Sequence, residues 1–167
     1  MTFTLLDVIL LLAVFGFSLF GLWFGLIHTL GTLIGTVIGA AIAGQLYAFV
    51  PGELASILSF VGITFAVARL VGMGTALIEK IFHIISILPF LKTINRLGGG
   101  IFGFVEGVLF VGIVLIVASR YNLGPWFTNA MTQSKVAPPL VDAAKILLPL
   151  LPVALKQLQS WIPWVKF

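Results

Sequence analysis

Gly31-Thr32-Leu33-Ile34-Gly35-Thr36-Val37-Ile38-Gly39-Ala40-Ala41-Ile42-Ala43 places glycine or alanine at every fourth position. A four-residue step returns to nearly the same face of an α-helix, so this ladder is a groove without side chains. Gly99-Gly100-Ile101-Phe102-Gly103-Phe104-Val105-Glu106-Gly107 repeats the device, and Gly21 and Gly25 carry one step of it ahead of the first ladder. Lipid tails give helices little hydrophobic reason to associate, so close backbone approach across small residues becomes a main source of packing energy. The ladders predict helices that meet inside a bilayer.

Composition outside the ladders agrees. The chain has 167 residues, of which 60% are hydrophobic and only 8% charged. Soluble domains carry about 25% charged residues. The mean hydropathy is +1.23, more apolar surface than a soluble fold of this length can hide. Residues 8–52 hold no formal charge, enough chain for two spans of about 20 residues each. No Lys or Arg precedes Arg69; a secretory signal peptide needs a basic start, so the first apolar run reads as a retained membrane helix. Cysteine is absent, which removes disulfides and thiolate chemistry. The net charge of +4 is scattered, with no basic tract for nucleic acid. The lipid bilayer is the expected partner.

The expected fold is all-α and integral to the membrane: four transmembrane helices, a short interfacial segment and an amphipathic C-terminal helix. The first span runs from about Phe3 to Phe24 and a tight turn follows over Gly25–Thr29. The second covers about Ile27 to Val50, ended by the turn signal Pro51-Gly52. The third covers about Leu54 to Ile78 around Arg69. Ile81 to Leu91 is apolar but too short to cross, so residues 81–97 read as a connection lying on the membrane. The fourth span runs from about Gly98 to Ala118. Residues 1–120 thus form a transmembrane domain. Residues 121–167 hold six of the eight prolines and read as a proline-broken amphipathic surface tail. Within it, Leu140 to Gln159 reads as the amphipathic helix, with Trp126, Trp161 and Trp164 at headgroup level.

Lys80, Lys92 and Arg96 place the third loop in the cytoplasm and the N-terminus outside, with Arg120 and Lys135 pulling the other way. Spans two and four are then parallel and their ladders lie at similar depth. The expected contact is one ladder against the other, within one subunit or between two.

Charged residues at mid-span are the candidate site. A lone charge at the bilayer centre costs about 2.5–3.5 kcal/mol on insertion scales. Arg69 and Glu106 each lie near the middle of a span, so an intramembrane ion pair is expected, either locking two helices or lining a polar path. Asp7 reads as an interfacial anchor near a helix N-terminus, Asn95 and Arg96 as interfacial polar residues, and His28 as a wet turn residue. His28 and His83 share no metal-ligand spacing, so no metal is expected. Gly98-Gly99-Gly100 lacks the Lys-Ser/Thr ending of a phosphate loop, and no His-Glu-x-x-His or Gly-x-Ser-x-Gly occurs. No catalytic residue and no cofactor is expected, and the chain reads as a non-enzyme.

The order of features resembles a known family. Asp7 opens the first span and Gly21-x-x-x-Gly25 ends it. Leu88-Pro89 and Ile94-Asn95-Arg96-Leu97-Gly98-Gly99-Gly100 lead into the second ladder through Gly107, and Ser134-Lys135-Val136-Ala137 follows. This pattern is similar to the CvpA family, the colicin V production proteins of bacterial inner membranes. Family members often carry Arg before the glycine matching Gly25, with an acidic residue soon after; Phe24 and His28 stand there. They also often carry Arg where this chain has Glu106. The resemblance implies a multi-pass protein of the bacterial cytoplasmic (inner) membrane that supports toxin production and envelope homeostasis. It would act without catalysis, as a homo-oligomer or with other envelope membrane proteins. From another class, the alternative is a small oligomeric channel or transporter subunit built around Arg69 and Glu106.

Overall fold

The computed structural model of the chain describes residues 4–46, 49–82, 89–119, 121 and 123–150. Every regular element among them is helical: α1 (Leu5–Phe24), α2 (Leu26–Leu46), α3 (Glu53–Phe82), α4 (Pro89–Ser119), α5 (Pro125–Gln133), α6 (Ala137–Ala144) and a closing 3₁₀ turn (Lys145–Leu150). Four of these helices are long and apolar enough to cross a membrane.

Local sequence sets the helix ends. Thr4 caps α1: its hydroxyl accepts from the Asp7 N–H at 3.2 Å, and the Asp7 carboxylate accepts from the Thr4 N–H at 2.9 Å. This reciprocal box satisfies two of the donors that a helix start leaves over. Gly25 alone breaks α1 from α2, at φ +92°, a conformation that favours glycine. The tight turn expected over Gly25–Thr29 is therefore one residue long, because His28 and Thr29 already belong to α2. Pro89 opens α4, where its missing N–H leaves no bond unmade. Residues 89–97, expected on the membrane surface, are instead the first turns of α4; residues 83–88 lie outside the described residues. Gly124 (φ +95°) and Pro125 open α5 in the same way.

The packing order is α1, α4, α2, α3. α1 runs antiparallel to α4, with Gly21 against Gly99, Phe17 against Gly103 and Val14 against Gly107. α2 runs parallel to α4, Leu26 lying beside Gly98 and Thr32 beside Glu106. α3 runs antiparallel to α2. The parallel direction of spans two and four is as expected, but their ladders do not meet. The first ladder takes α3: Gly31 receives Thr75, Gly35 receives Ala68 and Val71, and Gly39 receives Thr64 and Val67. The second ladder takes the Gly21–Gly25 step of α1, so backbone meets backbone there. In the first groove the Thr75 side chain fills the space at Gly31, while the α3 backbone at Ala68 and Thr64, flanked by Val71 and Val67, closes on Gly35 and Gly39; the second groove closes on another groove.

α4 is the central helix. Phe110, Ile113, Ile116 and Val117 join Leu10 and Val14 of α1 and Leu140 and Val141 of α6 in one buried cluster. α6 lies so close to α4 at Gly112 that a β-carbon there would stand 2.6 Å from that of Ala144. The tail residues 137–144 thus continue the core, whereas Trp161, Trp164 and the second half of the expected amphipathic helix lie outside the described residues.

Candidate functional site

Helix α2 carries a threonine stripe beside its glycine ladder: Thr29, Thr32 and Thr36. The spacing keeps them on one face, and that face turns toward α4, where Glu106 projects. Glu106 is buried. Its Oε2 accepts from the Thr32 hydroxyl at 2.6 Å, and Oε1 from the Thr36 hydroxyl at 3.3 Å. Thr32 Oγ1 also lies 3.0 Å from the Thr29 carbonyl.

The expected Arg69–Glu106 ion pair is not formed. Among the described residues the one ion pair within 4.0 Å is Asp142–Lys145, on α6 and the following turn. The Arg69 guanidinium instead lies over two aromatic rings, 5.3 Å from the centre of Phe20 on α1 and 4.7 Å from that of Phe65 on its own helix. Ring quadrupoles attract a cation there, by about 0.5–2 kcal/mol. Two hydroxyls on the helix next to α4 reach the carboxyl, and two rings hold the guanidinium, so neither charge needs the other for placement. They still face one narrow cleft, lined also by Phe17, Gly21, Phe24, His28 and Thr29. His28, expected as a wet turn residue, is buried in the first turn of α2 and stacks on Phe24 at 4.6 Å between ring centres. Among the described residues no three His, Cys, Asp or Glu side chains gather.

Two more polar groups join distant parts of the chain. Asn95 of α4 caps α2 from outside: its Oδ1 accepts the Leu26 N–H at 2.9 Å. The amide sits against Gly25, where a β-carbon would strike it. Asn95→Ala removes this acceptor and should lower stability by about 1 kcal/mol, whereas Asn95→Asp keeps it; denaturation in detergent micelles measures the difference. Asp7, expected as an interfacial anchor, has no exposed surface. Besides Thr4, its carboxylate accepts from Ser134 Oγ at 2.5 Å and from the Lys135 and Val136 N–H groups at 2.9 Å each.

These features stand in the order that the resemblance requires, and a comparison with protein families decides the matter. Residues 6–145 match the family described as Colicin V production protein. The chain belongs to that family. No curated protein and no solved structure matches it.

In this colicin V production family member, the matched stretch ends at the turn after α6 and so contains both partners of the Asp7–Ser134 clasp. Arg96, read as interfacial, is exposed on α4 beside Asn95. The residues that sequence reading missed are Thr32 and Thr36, the hydrogen-bond partners of Glu106. Their signal was present: three threonines one helical turn apart, alongside the glycine ladder, in sequence with almost no other polar group.

Proposed function

We propose that this protein is a non-enzymatic, multi-pass protein of the bacterial cytoplasmic membrane. It supports colicin V production and envelope homeostasis by assembling with copies of itself or with other envelope membrane proteins. Family membership supports the membrane setting and the toxin link. The observation that carries the non-enzymatic reading is how the buried and half-buried polar side chains are used. Asp7, Asn95, Glu106 and Ser134 each tie one helix or loop to another. Both glycine ladders are filled within one chain, so assembly with partners would use the outer faces, such as the α1 face bearing Leu12, Phe15 and Trp23.

The test is deletion of the gene in a colicin V-producing host. Toxin release and tolerance of a membrane-active detergent should both fall, and the wild-type chain should restore both. Unchanged release and tolerance after deletion would refute the proposal. The cleft shared by Arg69 and Glu106 favours a second reading, a channel or transporter subunit. Ion flux across proteoliposomes that disappears with Glu106→Gln would put that reading first.

A further inference from the structure

The contacts of Glu106 contain a proton-counting problem. Thr32 has a single hydroxyl hydrogen, yet its oxygen lies within hydrogen-bond distance of both the Thr29 carbonyl and Glu106 Oε2. Neither acceptor carries a hydrogen when the carboxyl is ionised. One hydroxyl hydrogen then has two claimants. If the carboxyl is protonated, Oε2–H donates to Thr32 Oγ1, Thr32 donates to Thr29, and Thr36 donates to Oε1. Every contact is then made. The wider surroundings fit a neutral acid as well. Among the described residues no Lys or Arg nitrogen lies within 4.0 Å of the carboxyl, and an unpaired charge at this depth is expensive.

The ionised form has a partner waiting. Arg69 faces the same cleft and rests on Phe20 and Phe65 without touching the carboxyl. Among the described residues, the titratable groups facing this cleft are Arg69 from α3 and His28 from α2. α1 presents Phe17, Phe20 and Phe24 to it, and α6 meets α4 through Leu140, Val141 and Ala144. α3 and α4 touch each other little, so a new bond between them would change how they are held.

We propose that Glu106 is an intramembrane proton-binding site, and that losing its proton draws Arg69 off the two rings and onto the carboxylate. The proton leaves Glu106 Oε2 for water entering the cleft beside His28. Arg69 keeps its charge throughout, and its guanidinium hydrogens replace the lost one. The protonated state leaves α3 and α4 loosely joined; the deprotonated state latches them.

Two measurements on the full chain in liposomes test this. A membrane-soluble carbodiimide adds to protonated carboxyl groups in apolar surroundings. Mass spectrometry of wild-type protein should place the adduct on Glu106, with labelling falling about tenfold per pH unit above its midpoint. The chain has no native cysteine, so spin labels at Met73→Cys on α3 and Ile101→Cys on α4 report the gap between these helices. Both positions are exposed. Their separation should change over the same pH range. Glu106→Gln should freeze it at the acid value, and Arg69→Gln should abolish the change while leaving the labelling in place. Glu106 unlabelled at every pH, or labelled equally at every pH, overturns the proton site. A titrating Glu106 with an unchanging helix separation overturns the Arg69 latch.

Discussion

Gly99→Ala is expected to lower the melting temperature of the detergent-solubilised protein by roughly 5–10 °C, and Gly99→Leu to leave no folded protein. A β-carbon at Gly99 would run into the Gly21 carbonyl oxygen and lie 2.8 Å from Gly25 Cα. Both obstacles are backbone, which cannot rotate aside as a side chain can. The opposite face gives no relief, since a β-carbon at Gly21 would in turn strike the Gly99 carbonyl. Separation of α1 from α4 would also pull Asn95 away from the start of α2. Gly16→Ala, Gly62→Ala and Gly74→Ala provide the contrast. A β-carbon at any of the three meets nothing within 4 Å, so these variants should match the wild type or exceed it, alanine being the better helix former. Equal behaviour of Gly99→Ala and Gly62→Ala in thermal unfolding would remove the backbone contact as the basis of the fold.

Asp7→Ala should release the segment between α5 and α6. The carboxylate accepts five hydrogen bonds, two from Thr4 and three from Ser134, Lys135 and Val136. Alanine leaves the donors from that segment without an acceptor, and buried donors left unmade are expensive. Ser134 Oγ would lose its own anchor while still accepting the Ala137 N–H that starts α6. Trypsin reads the result directly, because Lys135 is exposed: cleavage after it should accelerate on the order of tenfold as local opening becomes easier. Asp7→Asn should be milder. Its Oδ1 can still accept from Ser134 and the two N–H groups, and its NH₂ can donate to Thr4 Oγ1. An Asp7→Ala protein cut no faster than wild type would show that α6 is held by its contact with α4 alone.

The spans were legible in the sequence because hydropathy and length suffice to define them. The ladders were legible as packing faces for the same kind of reason: a four-residue step has one structural meaning in a helix. Their partners were not legible. A groove records only what it lacks, and both a second groove and a row of β-branched side chains can fill it. Here Gly21–Gly25 closes on the second ladder, and the first takes both the Thr75, Val71 and Val67 side chains and the α3 backbone at Ala68 and Thr64. Arg69 and Glu106 stand out in the sequence by charge and depth, yet charge alone suggested a direct pair. Distinguishing a pair from two separately supported groups requires the neighbours, and those are aromatic rings and hydroxyls that look like ordinary membrane-helix composition. The role of Asp7 was hidden differently. Its three segment donors lie more than 125 residues further along the chain, and two of them are backbone N–H groups that no side-chain pattern reveals.

The one-residue join at Gly25 bears on how the protein is made. α1 and α2 leave the ribosome as a pair, but they barely touch each other; the helix that fills the space between them is α4. During synthesis, therefore, the bare glycine face of α1 must wait in the membrane until Asn95 and the second ladder have been translated. The Asp7 carboxylate waits longer still, for Ser134. More than 120 residues separate Asp7 of α1 from the segment that completes it, so this end of α1 stands unmated through their translation until later residues close over it.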